Sequence, residues 1–334
     1  MLLSRSWPAI VKILELRSFA KINLGLSVLG RRADGYHDIH TTYQAIDLAD
    51  EILLEEDTIL SLRVEGPFAV PADESNLALR AARALAERFP GRGARITLTK
   101  SIPPGAGLGG GSSNAAVTLI GLDRLWEAQT DPGVLFAIAR RLGADVPFFL
   151  YGGACLGVGK GDDLLPLPDQ PEWTVLVVWP GVGLATKEVY EDLPLALTRP
   201  RILSSMKGFL PILPERSGRG TVIPGVAGLA SVGPPMGGSA PRGHLVPPCV
   251  DNDLEEAAFS KLPRLRKLKD RLLDLGALAA AMSGSGSSVF GLFPSSKGID
   301  KLASTLAGGG TMVFVCRTLS RDAYHLNLFK RLQT

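Results

Sequence analysis

Apolar positions along the chain change period several times, and each change predicts an element. Over 10–30 they alternate with polar ones and include β-branched residues, which predicts a strand followed by a turn at 30–35. Further short strands are predicted over 45–56 and 60–64, with acidic residues on an exposed side. The spacing then becomes helical over 74–89, where Leu77, Ala81, Ala84, Leu85 and Phe89 share one face until Pro90-Gly91 ends the run. Residues 95–100 read as a strand leading into a Gly-rich loop, and Ala116, Leu119, Ile120 and Leu125 predict a helix over 112–127. The continuous apolar run 174–179 predicts a buried strand, and 254–275 a helix with apolar and basic faces. Strands follow a small-residue turn at 288–293 and again at 311–316. Strands and helices mix without strict alternation, so the predicted class is α+β.

The chain's 334 residues suggest two medium domains, 1–170 and 171–334. With 46% apolar and 21% charged residues, wholesale disorder is excluded. The net charge of +3 is too small for the concentrated basic face of a nucleic-acid binder. Cys155, Cys249 and Cys316 stand apart, without metal-ligand spacing, which argues for a reducing compartment over a disulfide framework. Lys12 and Glu15 interrupt the N-terminal apolar stretch, and no run approaches the ~20 apolar residues of a membrane span. A cytoplasmic protein without membrane contact is expected. The 38 Gly and 24 Pro divide into two kinds. Nine Gly and eight Pro fall within 208–248, a motif-free insertion unable to hold a long helix or central strand.

The other kind carries chemistry. Pro103-Pro104-Gly105-Ala106-Gly107-Leu108-Gly109-Gly110-Gly111-Ser112-Ser113-Asn114 runs from a predicted strand into a predicted helix. Such a loop leaves the backbone free to curl and aims N–H groups and the positive helix end at one point, an arrangement that binds phosphate. No Gly-Lys-Ser/Thr follows, so it is not a Walker loop. A second small-residue loop spans 282–288, and Lys21 and Asn23, two apart on a strand, project to one face.

These three blocks resemble the GHMP kinase superfamily. The finer match is to its members that phosphorylate 4-diphosphocytidyl-2-C-methyl-D-erythritol in the non-mevalonate isoprenoid pathway. Ala20-Lys21-Ile22-Asn23-Leu24, Asp34-Gly35-Tyr36-His37, the block 143–149 (Gly-Ala-Asp-Val-Pro-Phe-Phe) and Asn252-Asp253-Leu254-Glu255 carry it, within 15–195 and 250–320. The resemblance implies a two-domain fold, with an N-terminal domain like domain 2 of ribosomal protein S5 and a ferredoxin-like C-terminal domain. It implies ATP and Mg²⁺, with Asp145 taking the proton of the attacking hydroxyl and Lys21 as its partner. Pro104, Gly105, Gly107, Leu108, Gly109, Gly110, Gly111, Ser112, Ser113 and Asn114 would surround the ATP phosphates, with Lys100 and Asn76 near the nucleotide. Asn23, Tyr36, His37, Thr186 and Tyr190 would hold the second substrate. No residue is assigned as a metal ligand, and a monomer or weak homodimer is expected. Asp162 stands where the family often has Glu. A kinase for homoserine, mevalonate or a sugar, and a nucleotide-binding homologue without catalysis, remain the alternatives.

Overall fold

The computed structural model describes residues 12–193 and 250–330. The Gly/Pro-rich block 208–248 and Cys249 therefore lie outside the described residues. A long hairpin of β1 (Ile13–Arg31) and β2 (His37–Asp57) forms the backbone of the molecule. β2 begins well before the predicted strand at 45, because the tight turn at 32–36 returns the chain directly into the ladder. That turn is closed by Tyr36 N–H donating to the Asp34 carboxylate (3.1 Å) and by an Arg32–Asp38 ion pair.

Around the hairpin, β3 (Ser61–Glu65) and β4 (Gly93–Thr99) extend one sheet beyond β2, while β5 (Ala154–Val158) and β6 (Asp163–Pro166) join the other end of β2. Helices α1 (Leu77–Ala86), α2 (Gly110–Leu125), α3 (Pro132–Leu142) and the short α4 (Phe148–Tyr151) lie in this half. α1 and α2 bury Ala81, Leu85, Ala115, Leu119 and Leu122 against Leu16, Ile52, Leu54 and Ile96 of the sheet.

A second, antiparallel sheet has the order β11 (Met312–Arg317), β7 (Thr174–Trp179), β10 (Val289–Phe293), β9 (Ala279–Met282). One face of it meets the hairpin, where Ile22 and Ile46 share a core with Val175, Val177 and Phe290. The other face is covered by α6 (Glu255–Lys261), α7 (Arg264–Asp274) and α8 (Ile299–Leu306), through Phe259, Leu265, Leu272 and Ile299. Both faces of β7 are thus buried, which explains its unbroken apolar run. The helix predicted over 254–275 is two helices: Pro263, lacking an N–H, separates α6 from α7.

The halves interlock. The two-residue strand β8 (Asp251–Asn252) pairs in parallel with Gly25 and Leu26 of β1. The last helix, α9 (Arg321–Leu328), returns to the first core, where Tyr324 packs on Phe19 and donates to the Phe149 carbonyl (2.8 Å). No helix among the described residues is long and apolar enough to cross a membrane.

Candidate active site

A cleft of about 1540 Å³ opens between the two halves. Every residue given a catalytic or binding role from the sequence lines it, with one exception: Ser113 is fully buried away from it.

At the cleft floor, Asn23 and Tyr43 are opposite one another in the β1–β2 register, so Lys21, Asn23 and Tyr43 point to the same side. Lys21 is 3% exposed; its ammonium donates to Asn23 Oδ1 (2.7 Å) and lies 3.4 Å from Asp145 Oδ2. Asn23 Nδ2 in turn donates to the Thr41 hydroxyl (2.7 Å), and Thr41 to the Gly25 carbonyl (2.8 Å). Asp145 sits between α3 and α4, anchored by the buried Val146, Phe148 and Phe149 that follow it. Tyr43 was not legible from the sequence as a site residue. Its ring stacks on Phe148 (4.9 Å), and its hydroxyl donates to Asp145 Oδ1 (2.9 Å). Burial, then the Asp145 charge, raises the Tyr43 phenol well above its ordinary range, so it stays protonated and remains a donor.

Above this corner lies the phosphate loop. α2 begins at Gly110, two residues earlier than predicted, and Gly109 caps it in the left-handed conformation (φ 69°) that favours glycine. The first bond onto the cap is Ser113 N–H to the Gly109 carbonyl (2.9 Å), so the N–H groups of Gly110, Gly111 and Ser112 precede the helical ladder. Starting the helix earlier rotates its first turn. Ser113 and Asn114 consequently face inward: Ser18 donates to the Ser113 hydroxyl (2.8 Å), and Asn114 Nδ2 donates to Ser18 (2.9 Å) and Asp50 (2.9 Å). Lys100 is also buried, ion-paired with Asp50. Asn76 caps α1 by accepting from Ala78 N–H (3.0 Å) and donates to the Pro71 carbonyl (2.7 Å), which occupies both ends of its amide.

The 283–288 loop backs the phosphate loop. Ser288 N–H donates to the Ala106 carbonyl (3.0 Å), and the Ser283 hydroxyl to the Gly107 carbonyl (2.9 Å). Asn252 holds the loop through the Met282 (2.8 Å) and Gly284 (2.7 Å) carbonyls, and Glu255 accepts from Met282 N–H (2.9 Å). Asp253 accepts from Val28 N–H (2.8 Å), tying the same segment to β1. The Asn-Asp-Leu-Glu stretch is therefore the fastener between the 283–288 loop and β1, a role its residue types did not disclose.

At the opposite end, Tyr36 is 57% exposed with the Lys160 ammonium 5.1 Å from its ring centre. His37 and Tyr190 rings lie 5.0 Å apart, forming a second aromatic wall. Burial, with the Arg31 charge as a smaller cause, lowers the His37 pKa below its ordinary value. On α5 (Thr186–Glu191), the Thr186 hydroxyl bonds that of Ser285 (2.9 Å). Among the described residues, no group of three or more His, Cys, Asp or Glu could hold a metal ion. Cys155 is buried, its thiol pushed up to about 11, and inert by that measure.

The N-terminal domain of the GHMP kinases matches residues 76–153, and their C-terminal domain matches 230–310. A 4-diphosphocytidyl-2-C-methyl-D-erythritol kinase from Syntrophus aciditrophicus is 36% identical over 307 residues, covering 91% of this chain and 98% of the relative. The chain belongs to the GHMP kinase family. Within that family, a crystal structure of 4-(cytidine 5'-diphospho)-2C-methyl-D-erythritol kinase superposes with a TM-score of 0.69 at 34% identity, covering 91% of this chain and 99% of that one. The homoserine kinase of Cytophaga hutchinsonii superposes with a TM-score of 0.62 at 20% identity, over 94% of this chain and 97% of that one, which shows the shared GHMP kinase fold alone. The two-domain α+β fold expected from the sequence is thereby the observed one.

Proposed function

We propose that this GHMP kinase transfers the γ-phosphate of ATP to the 2-hydroxyl of 4-diphosphocytidyl-2-C-methyl-D-erythritol, a step of isoprenoid precursor synthesis, as a cytoplasmic enzyme, monomeric or weakly dimeric. The observation that carries the reading is the meeting, in one cleft, of the Asp145–Lys21–Tyr43 corner with a glycine phosphate loop and the Tyr36 and His37–Tyr190 walls. Phosphoryl transfer needs aligned reactants, charge stabilisation and a proton acceptor more than covalent help. The substrate hydroxyl attacks the γ-phosphorus, the bond from that phosphorus to the β-bridging oxygen breaks, and ADP leaves. The hydroxyl proton passes to Asp145 and from there to solvent, since the carboxylate is one-third exposed. Lys21 stands beside that carboxylate to orient the hydroxyl and balance the charge gathering on the phosphate. The N–H groups of Gly110, Gly111 and Ser112 receive phosphate oxygens at the helix mouth. Tyr36 and Tyr190 offer ring faces to cytosine, while His37 and Asn23 serve its polar edges and those of the attached alcohol.

Mg²⁺ supplies neutralisation of the transferring phosphate's charge. The half-buried Ser112 hydroxyl and the single carboxylate of Asp145 are hard oxygen donors too few for a closed cage. That sparse set fits an ion that keeps its waters and takes most ligands from the nucleotide, with Ser112 the residue placed to hold it.

The test is ADP release with ATP and each candidate alcohol in turn. Turnover with the diphosphocytidyl alcohol and none with homoserine, mevalonate or galactose is the expected outcome; preference for any of the other three overturns the assignment. Tyr43→Phe removes one hydrogen bond to a charged carboxylate, worth about 1.5 kcal/mol. The expected result is a kcat roughly tenfold lower with both KM values little changed; an unchanged kcat would show that Asp145 needs no such support.

The lowered His37 pKa sets a pH dependence. The folded protein disfavours the charged imidazole, so the ring is neutral at pH 7, and that preference is lost as pH falls below the ordinary value of about 6.5. The KM for the diphosphocytidyl alcohol should be flat above pH 7 and rise only as pH falls through the lowered His37 pKa, on the acid side of the ordinary histidine value of about 6.5, with the rise abolished in His37→Gln. Steady-state kinetics across that range check it, and a KM that falls on acidification contradicts it.

A further inference from the structure

Asp50 is a fully buried carboxylate on β2, opposite Ser18 in the hairpin register. Its Oδ1 accepts the backbone N–H groups of Ser101 (2.7 Å) and Ile102 (2.8 Å), the residues that lead into Pro103 and the phosphate loop. Its Oδ2 accepts Asn114 Nδ2 (2.9 Å), in the first turn of α2 where the loop ends, and takes the Lys100 ammonium. That ammonium lies directly beneath the helix mouth, since a Cβ added to Gly110 would stand 3.1 Å from it. It also donates to Asn114 Oδ1 (3.3 Å). One side chain thus holds the entry of the loop, its exit and the cation below it, with four donors on two oxygens.

We infer that Asp50 is a positioning residue for the nucleotide: it fixes the span of the phosphate loop from behind and so sets where the N–H groups of Gly110, Gly111 and Ser112 meet the phosphates. The inference rests on the kinase reading above and deepens it. Charge-assisted bonds to a carboxylate are short and strong, and buried N–H groups deprived of an acceptor do not stay where they were. An Asn in place of Asp50 keeps the shape and loses this symmetry. With its oxygen on Ser101 and Ile102, its amide group faces the Lys100 and Asn114 donors; with the amide flipped, the two backbone N–H groups lose their acceptor. Either way one end of the loop is released. The site that binds the alcohol, on the far side of Asp145, is held by other contacts and is left in place.

The experiment measures kcat, both KM values and thermal stability for the wild type, Asp50→Asn, Lys100→Met and the double variant. Asp50→Asn should raise the KM for ATP about tenfold or more while the KM for the alcohol stays within about twofold. In a folded protein, an unchanged KM for ATP overturns the proposal, as does an equal rise in both. The double variant carries no stranded buried charge and decides the matter if Asp50→Asn fails to fold. Its KM for ATP should exceed that of Lys100→Met alone; equality shows that Asp50 serves only to neutralise Lys100, and overturns the positioning role. Failure of the kinase reading is distinguishable, because the wild type would then release no ADP with the alcohol. The same four proteins are in that case compared by calorimetric ATP affinity, with the same ordering expected and the same equality overturning it.

Discussion

Asp145→Asn is expected to lower kcat by about 10²- to 10⁴-fold while leaving the KM for ATP within about threefold. The substitution preserves shape: the Asn oxygen still accepts from the Tyr43 hydroxyl, which stands 2.9 Å from Oδ1 in the native enzyme. What is lost is the oxygen beside Lys21 that can take up a proton. An amide is no base, and its NH₂ group placed against the Lys21 ammonium, now 3.4 Å away from a carboxylate, also disturbs the cation. In the proposed function, nucleotide affinity is carried by the loop and α2, whose backbone the substitution leaves alone. Stopped-flow product formation beside calorimetric ATP binding separates the two effects. A kcat within about threefold of the wild type would assign proton removal to another group, or to solvent.

The second large effect concerns Gly107. Its φ of 76° lies in the left-handed region, and a Cβ there would overlap the Ser283 carbonyl oxygen and stand 2.9 Å from the Gly286 carbonyl oxygen. Both are backbone atoms of a loop that Asn252 holds at the neighbouring Gly284 carbonyl and that the Ser283 hydroxyl ties to Gly107, and the Ser283 carbonyl itself accepts from Gly286 N–H (2.9 Å), so neither can swing aside. Gly107→Ala must therefore separate the two loops. About 1–2 kcal/mol of backbone strain adds to the loss of the contacts between them, for a total of about 2–4 kcal/mol of stability. The kcat/KM for ATP should fall at least about a hundredfold, since the N–H groups at the helix mouth are no longer aligned. Thermal unfolding and kinetics on one preparation test this together. A stable variant with normal ATP kinetics would show that the 283–288 loop is a passive neighbour.

The parts of this site legible in the sequence are those encoded within a few residues. The glycine loop, the Lys21/Asn23 pair on one strand face and Asp145 before its apolar anchor are local patterns, and the structure brings them into one cleft. Tyr43 and Asp50 were not legible, because their meaning lies in pairings far along the chain. Tyr43 reaches Asp145 across 102 positions, and Asp50 reaches Lys100 across 50. In sequence, Asp50 is one of several acids on a strand and reads as solvated. The phase of α2 had a similar effect: a helix starting at 112 would present Ser113 and Asn114 to the phosphates, whereas the start at Gly110 turns both inward onto Ser18 and Asp50. The helix predicted over 254–275 shows the limit of periodicity, since apolar spacing continued across Pro263 although the hydrogen-bond ladder could not.

The Asn252–Glu255 stretch belongs between these cases. Its residues were noticed through resemblance, yet their work is mechanical: they fasten the 283–288 loop to β1 and so place the floor on which the phosphate loop rests. The catalytic corner and the phosphate loop are further joined by the Lys21 N–H bond to the Leu108 carbonyl (3.0 Å). A displacement of either loop is therefore felt at Asp145, which is why substitutions behind the phosphates are expected to reach the chemistry.

The most direct measurement of the central claim is phosphorus NMR of the product formed from ATP and the diphosphocytidyl alcohol, with wild type and Asp145→Asn run side by side. The account predicts a new phosphomonoester on the 2-hydroxyl, with the diphosphate intact, accumulating with the wild type and all but absent with the variant. A product phosphorylated elsewhere, or equal accumulation with both proteins, would contradict it.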